Sequence, residues 1–513
     1  MDIQIKMHSE LDCDLNVDIE LIKQAISEME GDSKYNIQLV RMLKVKVASY
    51  YDEVQNENEI SAKIKQAVGD EKEALKLEKK NIIALSNMIL DDCFNLITSM
   101  GGKEHYKYTY DLHFNRIVAG LMGSTCYMKD TFKQLEEKRI QDIRVIAKIV
   151  EQNGHHSTFG HSHLTLELTG IPKALAMVLN NEQEYNTSEK SARYTQMDSI
   201  EESEKQLFDK WKEIFEKAID KKYCHAQPFF DERGVKTAKL AQENARYMIS
   251  IFTPSNMVYT TSFRQFNYIC HWFEDVINSK NPNAFYRPLI PYMKEFVAWF
   301  KDNNLYSDTL TDGKDRKLSL FGEPLINQTI NSDVFAIKYN ISGAGLAQSQ
   351  RHRTNHHHIS EKEFEIYRPE FYVPPIIKGT DLEPQYLADI NSVVDHFPQG
   401  RLLPVVETGK TSNYLLKAYE RVCALAQKEI RDLTQAQCKQ FSEALEAELE
   451  QLARQTLSSS NGAMVQVLLA KQAEVRRMQE KFERMSKRAR CTAGFKCNSP
   501  CQFADVITMD SLV

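Results

Sequence analysis

Residues 348–360, QSQRHRTNHHHIS, gather a high density of cationic and titratable side chains. A histidine stands between Arg351 and Arg353, and three further histidines follow within the next five positions. Imidazoles can bind a metal ion, whereas guanidinium forks bind phosphate or pyrimidine oxygens through paired hydrogen bonds. The stretch is therefore a candidate for a metal site or for an anion-binding site.

The metal interpretation depends on the spacing of the histidines. His352 and His356 are one helical turn apart, and His161 with His163 in the other half of the chain could add two ligands. The two arginines would place permanent positive charge beside the metal, however, and no HExxH-type acidic residue offsets it. We therefore favour a bound anion and expect no metal.

Composition limits the class of protein. The chain has 513 residues, 42% of them hydrophobic, a formal net charge of −6 and ten cysteines. No uninterrupted apolar run is long enough to span a membrane, and the acidic N-terminus does not resemble a secretory leader. Scattered cysteines are typical of a reducing compartment, so we expect a cytoplasmic protein with no membrane contact. The negative charge disfavours nucleic-acid binding.

Hydrophobic periodicity predicts a helical N-terminal extension and a helical tail. Between them, SHLTLELTGI and VFAIKYNISG each alternate like a strand and lead through a turn into a helix, the second of which is AGLAQSQRHR. This repetition predicts two related α+β domains joined by the polar stretch LYSDTLTDGKDRKLS. The four predicted segments are residues 1–104, 105–304, 305–432 and 433–513.

The first of these domains resembles the flavin-dependent thymidylate synthases, whose hallmark is R-H-R, seven residues, then S-x-R-Y. NGHHSTFGH (153–161) resembles the family's flavin-contacting H-G-H-x-[ST]-x-F-E-H, and STCY (124–127) resembles an upstream family motif. SEKSARY (188–194) matches the second part of the hallmark. The positions expected for R-H-R, however, hold Asn181, Glu182 and Gln183.

The second domain resembles the same family, but it has R-H-R and lacks the serine and arginine of S-x-R-Y, the reverse of the first domain. R-H-R is intact as Arg351, His352 and Arg353, preceded by Gln348 as in the family. EFYVPP and ERVCALAQKEIR follow, and the latter offers Arg421 as the family's pyrimidine-facing arginine, a position that Phe273 holds in the first copy. Glu361 and Glu363 stand where the family has the serine and arginine of its phosphate loop.

The resemblance implies two tandem copies of the family fold, a mostly antiparallel sheet flanked by helices, with helical extensions at both ends. In the family the active site lies between subunits, so two copies could together build one complete site, and a homodimer would form a pseudo-tetramer. The resemblance assigns dUMP to Glu189, Ser191, Ala192, Arg193, Arg246, Gln348, Arg351 and Arg421. It assigns FAD to His155, Ser157, Ser262, Arg264, Arg351, His352 and Arg353.

The activity implied by the resemblance is reductive methylation of dUMP to dTMP with methylenetetrahydrofolate, FAD and NADPH. Arg421 would act at the pyrimidine edge as the catalytic cation. Two alternatives are a non-catalytic protein that binds nucleotide or flavin and a flavin-dependent uracil methyltransferase acting on RNA. Cys491, Cys497 and Cys501 lack the C-x-x-C spacing of a typical zinc site, and free thiols are expected.

Overall fold

The computed structural model describes residues 1–10, 17–126, 140–191, 200–223, 237–311, 320–321, 327–360, 368–423 and 426–488. The chain begins with strand β1 (Asp2–His8). Three helices follow, α1 (Ile19–Glu30), α2 (Ile37–Gln66) and α3 (Gly69–Ser99). Asp18 starts α1 because its carboxylate accepts a hydrogen bond from the backbone N–H of Glu20.

The first α+β unit combines helices with three further strands. Leucines 164, 166 and 168 alternate along its central strand and are fully buried. Its elements are α4 (Leu112–Thr125), α5 (Ile140–Gln152), β2 (His163–Pro172), α6 (Lys173–Leu179), β3 (Asn186–Glu189), α7 (Glu202–Tyr223), α8 (Thr237–Ala245), β4 (Pro254–Ser262), α9 (Phe263–Ile277) and α10 (Ile290–Asp302).

The second unit repeats the order strand, helix, strand, helix, strand, helix. Its elements are β5 (Thr329–Ile330), β6 (Val334–Ser342), α11 (Gly343–Ser349), β7 (His356–Ile359), α12 (Leu382–Ser392), β8 (Leu402–Lys410) and α13 (Thr411–Arg421). A helical hairpin ends the described chain, α14 (Lys428–Ser458) and α15 (Gly462–Lys487). Phe441 and Phe482 of the hairpin pack on Phe335 and Tyr414 of the second unit, as expected for the tail.

The two sheets have the same topology. Each is antiparallel with four strands, in the orders β1-β2-β4-β3 and β5-β6-β8-β7. In both units the second-listed strand leads directly into a seven-residue helix, and the third-listed strand leads directly into a longer one. Both seven-residue helices end in a tight turn that leads to the edge strand. The mixed helical and antiparallel fold class is confirmed.

The structure corrects three details of the sequence predictions. Residues 2–8 are not helical but add a strand to the first sheet, pairing with residues 164–169. The R-H-R triplet does not continue α11, which ends at Ser349, but lies in the turn before β7. The start of the predicted linker belongs to the first unit, because Leu305 and Leu310 are fully buried in its core.

Helix α3 is the one described helix whose length and composition would allow it to span a membrane. Core helices of soluble proteins meet the same criterion. Leu90, Cys93 and Ile97 of α3 are buried against α1 and α2, so this helix has an apolar face that its neighbours cover.

Candidate functional site

The two units meet through a reciprocal pair of backbone hydrogen bonds. Gln399 N–H donates to the Ile249 carbonyl at 2.7 Å, and Ile251 N–H donates to the Phe397 carbonyl at 2.9 Å. The same segments also hold the first turn of each seven-residue helix, since Ala174 N–H donates to Ile251 and Ala344 N–H to Gln399. The junction is thus an approximately symmetric contact within one chain, of the kind that related subunits make in a dimer.

Two predicted nucleotide-binding residues converge at this junction. Arg246, from the first unit, and Gln348, from the second, both donate a hydrogen bond to the side-chain oxygen of Gln427. All three side chains are buried. Predicted site residues of the two halves are therefore brought together inside one chain.

A carboxylate lies next to this meeting point. Glu429 accepts hydrogen bonds from the Ser342 backbone N–H at 2.8 Å, the Ser342 hydroxyl at 2.7 Å and the Tyr247 hydroxyl at 2.8 Å. Tyr247 in turn accepts a hydrogen bond from Gln427. Burial raises the pKa of Glu429, although these donors and the charge of Arg246 oppose the rise.

Arg353 of the R-H-R turn bridges to the first unit. Its guanidinium donates to the Asn186 side-chain oxygen at 3.0 Å and to the Thr187 carbonyl at 2.9 Å, and lies 5.4 Å from the ring centroid of Tyr185. Arg353 therefore makes a bidentate contact with β3, the strand that leads to Ser191. The turn and the start of the predicted phosphate loop are therefore neighbours.

The other two members of the triplet differ in environment. Arg351 is exposed, and its side chain has no hydrogen bond or ion pair among the described residues. The side chain of His352 is 9% exposed and lies 3.5 Å from Glu420. Burial and the positive charges of Arg421 and Lys417 lower the pKa of His352 to about 2, so its imidazole is neutral at physiological pH.

A cavity of about 230 Å³ contains two of the predicted flavin-contacting residues, Ser262 and Arg264. Ser262 caps α9 by accepting a hydrogen bond from Gln265 N–H at 3.2 Å, which places Arg264 in the first helical turn. Gly160 of NGHHSTFGH, His163 at the start of β2, and Gln183 with Glu184 also line the cavity. The cavity is thus lined both by the end of NGHHSTFGH and by the first residues of α9.

The remaining predicted residues lie around these features. His155 and Ser157 are exposed at a short 3-10 helix (His156–Gly160) and do not line the cavity. The Glu189 carboxylate is paired with Lys173 at 2.5 Å. Ser191 follows β3, whereas Ala192 and Arg193 lie outside the described residues, as do Glu361, Glu363 and the three tail cysteines.

Gln427 is a residue that the sequence reasoning did not select. It lies within AQKEIR, the part of the chain that resembles a family motif, and it joins Arg246 to Gln348. Its position inside that motif was the available signal. The alternative of a metal on one helix face has no support, because His352 lies in a turn and His356 in β7.

Comparison with known proteins tests the resemblance directly. Residues 113–274 match the family model described as thymidylate synthase complementing protein. The match includes α4, the NGHHSTFGH region, β3 and α9 as far as Glu274, and so most of the first unit. The family resemblance predicted from the motifs is confirmed for this segment.

Two solved structures are similar to parts of the chain. One is thymidylate synthase X from Helicobacter pylori with FAD and dUMP, at 16% identity, covering 38% of this chain and 94% of that chain, with a TM-score of 0.25. The other is the UMP/dUMP methylase PolB from Streptomyces cacaoi with 5-bromo-dUMP, at 13% identity, covering 36% and 88%, with a TM-score of 0.22. No curated protein sequence matches the chain.

Proposed function

We propose that this protein is a flavin-dependent thymidylate synthase in which two tandem copies of the fold share one composite active site. The observation that carries the proposal is the convergence of Arg246 and Gln348 on Gln427 across the junction between the units. The family match covers most of the first unit, and the identical strand order of the second sheet supports a duplication. The reciprocal hydrogen bonds at the junction support pairing of the copies within one chain.

In this proposal the nucleotide binds where groups from both units meet. Ser191 and Arg193 would hold the phosphate, Arg246 would assist from the first unit, and Gln348 and Arg351 would act from the second. Glu189 and Ala192 would contribute through the loop backbone, since the Glu189 carboxylate is held by Lys173. Arg351 suits this role because it is exposed beside a turn that Arg353 anchors to β3.

Arg421 would supply the positive charge at the pyrimidine edge. It ends α13, close enough to His352 that its charge lowers the pKa of that imidazole. A permanent cation favours loss of the pyrimidine N3 proton and so makes C5 more nucleophilic.

The residues of the first-unit cavity fit part of a flavin nucleotide. Arg264 offers a guanidinium for a phosphate, Ser262 stands at the same helix start, and a Cβ added at Gly160 would meet open space. His155, Ser157 and the R-H-R turn would complete the binding surface. Bound FAD would supply the hydride for reductive methylation, with methylenetetrahydrofolate as carbon donor and NADPH as reductant.

The assembly in the proposal is a homodimer with the symmetry of a tetramer. The protein would work in the cytoplasm, which agrees with the free state of the five cysteines that the structure describes, Cys93, Cys126, Cys270, Cys423 and Cys438. Nucleic acid is not a substrate in this proposal. An RNA uracil methyltransferase would need a basic surface that the net charge of −6 does not favour.

The test is to purify the protein, record its flavin spectrum and measure dTMP formed from dUMP with methylenetetrahydrofolate and NADPH. We expect bound flavin and turnover, with UMP as a parallel substrate because a UMP/dUMP methylase is among the similar structures. Arg193→Ala and Arg351→Ala should each abolish turnover, while Arg41→Ala, an exposed change in the N-terminal helices, should not. Bound flavin without turnover on either nucleotide would instead indicate the non-catalytic alternative.

A second measurement separates sites within one chain from sites between chains. Equal amounts of the Arg193→Ala and Arg351→Ala proteins are mixed and allowed to exchange subunits. If each site is built by one chain, every site in the mixture carries one of the two defects and activity stays absent. Recovery of up to roughly a quarter of the activity would show that the sites form between chains.

A further inference from the structure

A second cavity, of about 410 Å³, lies away from the residues assigned to nucleotide and flavin. Helices α4 and α5 form its walls, and Thr309 from the segment after α10 closes one side. Its volume is in the range of small-molecule sites. The lining consists of His113, Arg116, Arg144, Ala147, Lys148, Glu151, Gln152 and Thr309.

The only carboxylate in this lining has its hydrogen-bonding capacity taken up. Arg116 donates to both oxygens of Glu151, from Nε at 2.9 Å and Nη2 at 3.0 Å, and the hydroxyls of Ser307 and Thr309 also donate to it. Burial would raise the pKa of Glu151, but Arg116 and these hydroxyls outweigh it and lower the pKa. Glu151 is therefore a fixed anion that orients Arg116, whose guanidinium keeps further N–H groups for another acceptor.

Arg144 is held in a similar way from outside the cavity. Its Nη2 donates to the buried carboxylate of Asp18, which also lies 3.3 Å from His113 Nε2. The Arg144 Nε is buried and has no hydrogen-bond partner among the residues that the structure describes. A buried donor without an acceptor destabilises the folded state, so an acceptor supplied by a ligand here would be stabilising.

Lys148 adds a third cation. It is exposed on α5 and forms no ion pair within the described part of the chain. Three permanent cations thus line the cavity, of which Arg116 is paired with Glu151 and Arg144 with Asp18, while Lys148 has no such partner among the described residues. Ala147 adds an apolar surface to the lining. A site of this kind favours an anionic head on a small apolar body.

We propose that this cavity is a binding site for a small organic anion, with a carboxylate or phosphate head held by Arg116, Arg144 and Lys148 and a short apolar body against Ala147. The site does not rest on the proposed thymidylate synthase activity, because none of its residues belongs to that machinery. Its position beside Asp18, the cap of α1, would let the ligand strengthen the contact between the N-terminal helices and the first unit.

The test uses three matched probes, benzoate, phenyl phosphate and the neutral benzamide, titrated into the full-length protein by calorimetry. We expect at least one of the two anions to bind and benzamide not to bind. The ratio of the two affinities distinguishes a carboxylate ligand from a phosphate ester. Because phenyl phosphate could also enter the nucleotide site, its titration is repeated with saturating dUMP, and binding at this cavity should persist.

The variant Lys148→Gln removes one cation from an exposed position and should leave the melting temperature unchanged. It should weaken binding of the preferred anion about tenfold, the effect of losing one charged hydrogen bond. Lys80→Gln, at an exposed lysine of α3, is the matched control and should leave binding unchanged. Absence of binding by both anions at millimolar concentration, or equal binding by wild type and Lys148→Gln, would overturn the proposal.

Discussion

The two units fill equivalent interior positions with opposite chemistry. The seventh residue of the short helix is Leu179 in the first unit and Ser349 in the second. The sixth residue of the following central strand is Tyr259 in one and Glu407 in the other. The seventh residue of the next helix is Ile269 in one and Lys417 in the other. At these three positions, uncharged side chains in the first unit thus correspond in the second to Ser349, Glu407 and Lys417, here called the ionic core.

In the ionic core, the buried positive charge is paired with the buried negative charge. Lys417 Nζ lies 2.6 Å from Glu407 Oε2 and 2.7 Å from the Ser349 hydroxyl, and all three residues are completely buried. Tyr339 and Asn355 donate to Glu407 at 2.7 and 2.9 Å, and Ser349 is 2.8 Å from His357 Nε2. The same fold therefore accommodates either set of side chains, with the buried charges of the second unit paired to each other.

The position of the ionic core suggests why one unit has it. It lies beneath the R-H-R turn, where Lys417 and Glu407 both influence the pKa of His352. Lys417 is also one helical turn before Arg421 on α13. In the first unit the positions of His352 and Arg421 hold Glu182 and Phe273, and the core beneath them is apolar. The buried charges therefore lie in the unit that contains the R-H-R triplet and Arg421.

The largest predicted effect comes from breaking the buried pair. Lys417→Met should leave the Glu407 carboxylate buried without its cation and reduce the free energy of unfolding by about 3–5 kcal/mol. The double variant Lys417→Met with Glu407→Gln removes both charges and should recover most of that loss. Thermal and denaturant unfolding followed by circular dichroism measure both.

The matched change in the first unit is Ile269→Val, which removes one methylene from the equivalent apolar position. We expect a loss of about 0.5–1.5 kcal/mol. A Lys417→Met variant no less stable than Ile269→Val would contradict the role of the buried pair.

Acid should weaken the second unit before the first. Burial, with Arg421 and Lys417, lowers the pKa of His352 to about 2, and burial lowers that of His357 to about 3, both from 6.5. Below pH 6.5 the unfolded chain binds protons at these histidines and the folded chain does not, so stability falls as the pH drops towards those values. Each histidine contributes up to about 1.4 kcal/mol per pH unit.

Glu407 acts in the same direction at lower pH. Its pKa is lowered to about 2 because Lys417 and its other partners outweigh burial, so its stabilisation is lost as the pH falls from 4.5 towards 2. Hydrogen exchange at β7 and β8 against β3 and β4, measured from pH 7 to pH 4, compares the units. His352→Gln should make the pH dependence shallower by one proton, and an unchanged slope would refute the assignment.

Much of the fold follows from local patterns. The alternation in β2 and β6 and the long apolar periodicity of α14 and α15 predict these elements because each buries one face of its own sequence. Strand β1 was missed, although Ile3, Ile5 and Met7 alternate. Only Ile3 is buried, and the strand depends on pairing with residues more than 150 positions away.

The site was predictable only as far as its motifs reach. Arg246, Gln348 and the R-H-R triplet could be selected because they resemble a family pattern, and the structure brings the first two together. Gln427 and Glu429 also lie in a family-like stretch, AQKEIR, but their contacts could not be predicted from it. Their partners, Arg246 and Tyr247, are about 180 residues earlier in the chain, and nothing local marks a polar side chain as buried.

A substitution at the junction between the units should reduce stability by an intermediate amount. A Cβ at Gly400 would lie 2.7 Å from Ile390 Cδ1 and 2.9 Å from the Tyr247 Cβ, closer than atoms can approach. Gly400→Ala should therefore separate the segments that join the units and reduce the free energy of unfolding by about 1–3 kcal/mol. Gly462→Ala, where a Cβ meets no atom within 4 Å, should show no such loss in the same unfolding experiment.

The smallest effect distinguishes the two arginines of the triplet. Arg353→Ala removes the bonds to Asn186 and Thr187 and should cost about 1 kcal/mol, since these contacts are partly exposed. It should raise hydrogen exchange at β3, where the two units touch. Arg351→Ala should leave stability and exchange unchanged, because its side chain has no partner among the described residues, and should act on nucleotide binding alone. Equal destabilisation by both variants would mean that the triplet is structural throughout, and that the second unit contributes no exposed arginine to a shared site.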